Sequence, residues 1–276
     1  MMRKFFLLTG ISFLCSITKA QKSIEGLIDA EKSFAAYSVA HGTKDAFLKF
    51  ADSTGIVFDQ GKPVNAMAIW NKKEKRPGVL NWYPQFAGIA MSGNLGYTSG
   101  PWTFSLNDSI VARGQYSTIW HINKDGEWKF LLDLGVNNTP ENTDTSKWWR
   151  VTSTDPTLYL GSLKSLIKTE KKFIKKTRNK KDDRKRWYFN SSSKTLLPVL
   201  SRNGRVPAMD YDQFLGVMNA MPSKIKYTIN GSGISFSTDL GYVYGTTIIN
   251  GKQNGYLRIW IKEKDGWKII LEVLPY

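Results

Sequence analysis

The chain has 276 residues, 41% of them hydrophobic and 13% aromatic, enough to bury either one large core or two ordinary ones. Its single cysteine, Cys15, excludes a disulfide framework, and two histidines without further thiols argue against a zinc site. The formal charge of +16 is uneven: between residues 164 and 186 there are twelve Lys or Arg against Glu170, Asp182 and Asp183, so the basic character belongs to one segment.

Taken in order, Arg3 and Lys4, an apolar run over residues 5–17 and the small Ala20 read as a secretory signal peptide, 1–20, cleaved near Ala20. The run is shorter than the roughly twenty apolar residues of a membrane span, and no second run of spanning length follows. The expectation is an exported chain, periplasmic or secreted. Cys15 leaves with the signal; Phe13 and Leu14 before it are bulky for a lipidation site.

Residues 23–41 place Ile24, Leu27, Ile28, Phe34 and Ala35 at helical spacing, with Gly42 as a stop and Thr43 as a cap for a second helix over 44–51. A short strand at 56–59, a turn at 60–63 and a helical segment over 64–75 follow, the last ending before Pro77. Four strands are then expected, at 80–92, 95–105, 110–123 and 127–136. Ser92-Gly93-Asn94, Asn107-Asp108 and Lys124-Asp125-Gly126 separate them, the residues that tight hairpins demand. Hairpin-linked strands make an antiparallel sheet, and the preceding helices must cover one of its faces.

Residues 137–161 read as a linker in which Trp148 and Trp149 are expected to pack on a domain. Beyond it the order returns: a helix from Ser162, a basic and aromatic segment to Phe189, a turn at Asn203-Gly204, and a helical stretch over 208–221. Strands follow, with turns at Asn230-Gly231, Asn250-Gly251 and Asp265-Gly266. The residues return as well. LIDAEKSF at 27–34 recurs as LIKTEKKF at 166–173, a shift of 139. Gly88, Ile89, Ser92, Leu95, Gly96, Tyr97 and Gly100 recur 145 positions on; Tyr116, Ile119, Trp120, Lys124, Asp125 and Gly126 recur 140 on; Trp128, Lys129 and Leu132 recur 139 on. Nearly constant shifts read as one duplicated unit with small loop insertions, 21–136 and a divergent 162–276, expected to pack as an internal pseudo-dimer.

The order of elements, with Trp82 and Pro84, the run Gly93 to Trp102, Gly114 to Trp120, and Asp125-Gly126 followed by Trp128, Lys129 and Asp133, resembles the SnoaL-like branch of the nuclear-transport-factor-2-like superfamily, which includes ketosteroid isomerase. The resemblance covers most of residues 24–136. In the second copy Trp82 becomes Tyr227, Pro101-Trp102 becomes Thr246-Thr247 and Asp133 becomes Glu272. It implies an α+β fold of two tandem cone-shaped domains, each with N-terminal helices packed on a curved antiparallel sheet. It also implies a conical cavity that holds small apolar molecules, where an Asp, Tyr or His can move a proton beside a carbonyl.

Candidate residues follow from this. Asp133 sits in a strand that otherwise reads as buried, and a carboxyl in an apolar cavity could act as general acid or base. Strict alternation groups it with Lys129 and Leu131, opposite Trp128, Phe130, Leu132 and Leu134, so that it faces solvent or the other copy as readily as a cavity. Tyr97 and His121 are the other catalytic candidates. Tyr37, Trp70, Trp82, Trp102, Tyr116 and Trp120 are the candidate ligand-binding aromatics; Tyr97 and Trp120 recur as Tyr242 and Trp260 and are expected to serve the fold first. No phosphate-cradling motif is present, and no cofactor or metal is expected.

The first expectation for function is binding of a small apolar molecule in the first domain. The alternative is an isomerase, cyclase or dehydratase that uses Asp133. The third is binding of an anionic glycan, lipid headgroup or protein through Lys171, Lys172, Lys175 and Lys176 on a docked helix. Nucleic acid is not expected of an exported chain.

Overall fold

The computed structural model describes residues 22–138, 149–152, 160–178, 181–196 and 198–276. The expected signal segment and most of the expected linker, Trp148 included, lie outside them. Among the described residues no helix is long and apolar enough to cross a membrane.

The first half opens with α1 (Ile24–His41). The Ser23 hydroxyl caps it by accepting from the Gly26 N–H at 3.2 Å, and Gly42 ends it at φ 91°. Every third or fourth residue, Ile24, Leu27, Ile28, Glu31, Phe34, Ala35 and Ser38, is buried, so one charged residue lies on the apolar stripe. After α2 (Thr43–Phe50) come β1 (Ala51–Asp59), β2 (Lys62–Asn65) and α3 (Ala66–Lys72), whose N-terminal N–H of Ala68 donates to the Asn65 carbonyl oxygen of the side chain at 2.9 Å. The sheet continues with β3 (Val79–Trp82), β4 (Phe86–Ile89), β5 (Leu95–Leu106), β6 (Ser109–Ile122), β7 (Trp128–Asn137) and β8 (Trp149–Thr152). Its order is β2-β1-β7-β6-β5-β4-β8, with β3 also on β5. The β1–β7 and β4–β8 pairs are parallel, so the sheet is mixed and not antiparallel throughout as expected. Strand β1 enters from a helix, and no hairpin joins it to β7, so nothing obliges the pair to be antiparallel. Trp149 sits in β8, beside Phe86 of β4.

The second half runs α4 (Leu163–Thr177), α5 (Lys181–Ser191), β9 (Val199–Ser201), α6 (Tyr211–Ala220), β10 (Lys226–Ile234), β11 (Leu240–Ile249), β12 (Lys252–Glu263) and β13 (Gly266–Val273). Its sheet order is β10-β11-β12-β13-β9, with β9 parallel to β13. Ser162 and Ser165 form a capping box at the start of α4. Leu166, Glu170, Phe173 and Thr177 make its buried stripe, while Lys171, Lys172, Lys175 and Lys176 are exposed.

Two expectations about strands change for one shared reason. Segment 80–92 is two strands, β3 and β4, both paired with β5 and separated at Tyr83-Pro84-Gln85. The Tyr83 carbonyl is pushed toward β5 so far that a Cβ on Gly100 would lie 1.9 Å from it. In the second half Asn230-Gly231 is not a turn but a register shift inside β10, where a Cβ on Gly245 would lie 2.0 Å from the Thr228 carbonyl. Both sheets are bulged at the same place, and glycine is the residue that lets the opposing backbone approach.

Each sheet has two buried faces. One carries the helices. The other meets the opposite sheet: Phe86, Leu95, Tyr97, Leu132, Leu134 and Val136 form one cluster with Leu240, Tyr242, Leu257, Ile259, Leu271 and Val273. At the edge of this contact the turns after β4 and β10 touch. Ser237 Oγ lies 2.9 Å from Ser92 Oγ and accepts from the Ser92 N–H at 3.0 Å, while the Met91 N–H donates to Asp239 Oδ2 at 3.0 Å. Ser92 and Ser237 lie 145 positions apart, the same shift at which Leu95-Gly96-Tyr97 recurs as Leu240-Gly241-Tyr242.

Candidate functional site

Strand β7 does not alternate strictly. Ile119 of β6 pairs with Leu132 but Trp120 pairs with Phe130, leaving Leu131 as an extra residue. This bulge reverses the faces beyond it. Trp128 and Phe130 pack under the helices, whereas Leu132, Leu134 and Val136 pack against the second sheet. Asp133 therefore shares the helix side with Phe130, contrary to the grouping that strict alternation gives.

On that side lies a cavity of about 550 Å³ walled by Phe34, Phe47, Trp82, Trp102, Tyr116 and Asp133, with Phe58, Lys73, Leu80, Gly135 and Asn137 completing its lining. The elements explain its composition. Helix α1 contributes Phe34 from its buried stripe; β3 and β5 bring Trp82 and Trp102 side by side as ladder partners; β6 and β7 bring Tyr116 and Asp133. Asp133 Oδ2 accepts from the Thr118 hydroxyl at 2.7 Å. Burial pushes the Asp133 carboxyl up to about 6, against the lowering effect of that hydrogen bond. The Tyr116 hydroxyl has no hydrogen-bond partner among the described residues.

Beneath the cavity is a residue that the sequence reading did not select. Glu31, on α1, is wholly buried and accepts from the indole N–H of Trp82 at 2.5 Å, the indole N–H of Trp120 at 2.8 Å and the Thr98 hydroxyl. Burial raises its carboxyl to about 7; the three donors lower it and the nearby Asp133 charge raises it further. A signal for it was available, since Glu31 lies on the apolar stripe and recurs as Glu170 in the repeated octapeptide.

The remaining candidates are dispersed. Tyr97 is on the opposite face of the sheet, within the cluster between the two sheets. His121 places Nε2 2.8 Å from Asp52 Oδ2 outside the cavity wall. Burial favours a raised Asp52, but hydrogen bonds from Thr54 and His121 outweigh it and hold the carboxyl below its usual range. Trp120 is fully buried and holds Glu31 without lining the cavity. Tyr37 stacks near His41, with ring centroids 4.1 Å apart, and the Lys49 ammonium lies 3.9 Å from its ring. Trp70 stacks on Phe47 at 4.6 Å and lines a neighbouring groove of about 400 Å³ with His41, Lys44, Lys73, Arg76 and Phe104. The structure thus gathers Asp133, Trp82, Trp102 and Tyr116, and leaves the others elsewhere. Among the described residues no three His, Cys, Asp or Glu converge on a point that could hold a metal.

No protein-family model matches the sequence, and no curated protein matches it. Among solved structures, the fold is similar to a candidate ketosteroid isomerase from Parabacteroides distasonis, at 16% identity and a TM-score of 0.36 over 45% of this chain and 94% of that one. It is similar to a protein of unknown function from Shewanella oneidensis, described as like nuclear transport factor 2, at 16% identity and a TM-score of 0.33 over 40% of this chain and 94% of that one. It is also similar to the Δ5-3-ketosteroid isomerase of a Mycobacterium species, at 14% identity and a TM-score of 0.31 over 39% of this chain and 90% of that one.

Proposed function

We propose that the chain binds a small, largely apolar molecule in the cavity of its first half. The observation that carries this is the aromatic-walled space of about 550 Å³ with one carboxyl, Asp133, set into it. Small-molecule sites are concave, mostly apolar and of roughly 300–1,000 Å³, with a few polar groups that orient the occupant. The rings of Phe34, Phe47, Trp82, Trp102 and Tyr116 stand around the opening, an apolar wall for such an occupant. Titration with a panel of lipophilic compounds tests the reading through tryptophan fluorescence, since Trp82 and Trp102 stand in the wall. A response diminished by Trp102→Phe supports it; no response to any compound overturns it.

A second reading has its own observation. Asp133 reaches the cavity with its carboxyl raised to about 6, where it exchanges a proton readily near neutrality. It would serve as the acid or base of an isomerase, cyclase or dehydratase. Deuterium uptake beside the carbonyl of a bound ketone in heavy water, abolished by Asp133→Asn, is the expected result. Uptake unchanged by that substitution rejects it.

Export is a further part of the proposal, supported by the basic start, the apolar run and Ala20. A secreted product whose first residue is Gln21 is the expected outcome of N-terminal sequencing.

A further inference from the structure

The second half carries an occupant for the same place. In the first sheet Thr118 of β6 pairs with Asp133 of β7; in the second, Arg258 of β12 pairs with Glu272 of β13, at the equivalent rung. The Arg258 side chain is wholly buried. Its Nη1 donates to Glu170 and its Nε donates to Glu272 at 2.5 Å. Its guanidinium carbon lies 4.7 Å from the Phe173 ring, 4.9 Å from the Tyr227 ring and 5.1 Å from the Tyr256 ring.

Each of these five groups has a counterpart in the first half. Glu170 corresponds to Glu31, Glu272 to Asp133, Phe173 to Phe34, Tyr227 to Trp82 and Tyr256 to Tyr116. Four of these counterparts, Phe34, Trp82, Tyr116 and Asp133, stand in the cavity wall. The carboxyls and rings are kept, and Thr118 stands where Arg258 stands.

We propose that the first-half cavity takes the cationic head of a small organic molecule, a guanidinium, amidinium or alkylammonium, against Asp133 and between the rings of Phe34, Trp82 and Tyr116. This rests on the ligand-binding reading above and gives it a chemical class. A buried cation needs a paired charge and hydrogen-bond acceptors, and aromatic faces add attraction once water is excluded. Arg258 shows that the counterpart groups of the second half hold one. The carboxyls respond accordingly. Burial would raise Glu272, but Arg202 and Arg258 outweigh it and hold it low; burial raises Asp133, which the Thr118 hydrogen bond lowers only in part. Lys73 is the other charged residue of the wall, and its ammonium lies 4.3 Å from the Trp70 ring, in the neighbouring groove.

The experiment is calorimetric titration of the full chain at pH 8 with benzamidine, its neutral isostere benzamide and the anion benzoate. The expected result is benzamidine binding at least tenfold tighter than benzamide, with no binding of benzoate. Asp133→Asn should remove at least that tenfold preference and leave benzamide unchanged. In the unsubstituted chain, benzamidine affinity should fall severalfold from pH 8 to pH 5 as Asp133 gains a proton. Benzamide binding as tightly as benzamidine, or benzoate binding more tightly, overturns the cationic head while leaving the cavity reading intact. Silence from all three probes also overturns it, and the lipophilic panel then decides the cavity reading separately.

Discussion

Thr118 and Arg258 stand 140 positions apart on the same rung of two equivalent ladders, one a neutral hydroxyl beside an open cavity and the other a cation sealed between two glutamates. Removing the cation therefore has a defined consequence. Arg258→Thr leaves Glu170 wholly buried without its positive partner and takes one of two from Glu272, which keeps Arg202. Breaking a buried pair from one side costs roughly 3–5 kcal/mol. Urea unfolding should register a loss of that order, and Glu170→Gln in the same background should recover part of it.

Glu31 makes stability fall as pH rises. Its carboxyl lies at about 7 in the folded chain against 4.5 for the ordinary group. The folded state thus binds the proton more tightly, and the stability it gains is full below pH 4.5 and lost as pH climbs through 7. The shift corresponds to about 3 kcal/mol. Relative to Glu31→Gln, the unsubstituted chain should lose roughly that much between pH 4.5 and pH 8, read from urea midpoints. Parallel pH profiles for the two chains would contradict the burial assigned to Glu31.

The bulges predict a matched pair of substitutions. Gly100→Ala drives a methyl group against the Tyr83 carbonyl, and Gly245→Ala drives one against the Thr228 carbonyl. Overpacking of this kind costs about 1–3 kcal/mol and more where backbone must yield. Both variants should melt several degrees lower, whereas Gly216→Ala, which meets nothing within 4 Å, should not.

The contact between the two turns is testable through one carboxylate. Asp239 accepts from the Met91 N–H at 3.0 Å and from the hydroxyls of Ser235 at 2.8 Å and Ser237 at 2.5 Å. Asp239→Ala orphans these donors at a cost of about 1–3 kcal/mol. Hydrogen exchange at the Met91 amide, in the other half of the chain, should accelerate.

Much of this architecture is legible in the sequence, because helical stripes, turn dipeptides and the repeat all speak locally. What escapes is decided between elements. Pro84 reads as part of one long strand until β5 is seen to pair with pieces on both sides of it. Alternation misplaces Asp133 because a single bulge at Leu131 reverses every side chain beyond it. Tyr97 belongs to a strand buried on both faces, and period two cannot say which face holds the ligand and which holds the other sheet. Glu31 hides in Asp-Ala-Glu-Lys, a string that looks like the wet side of a helix, although its spacing from Leu27, Phe34 and Ala35 puts it with the core. The cavity aromatics Trp82, Trp102 and Tyr116 were visible as a set; that Trp120 props up a buried carboxyl instead was not.

The packing of the two sheets back to back within one polypeptide carries a consequence for how such a molecule can change. In an assembly of two identical copies, each mutation is made twice, and an arginine that plugs one chamber plugs both. Here position 118 and position 258 mutate independently. One half can become a rigid, internally neutralised buttress while the residues around the cavity of the other half remain free to change.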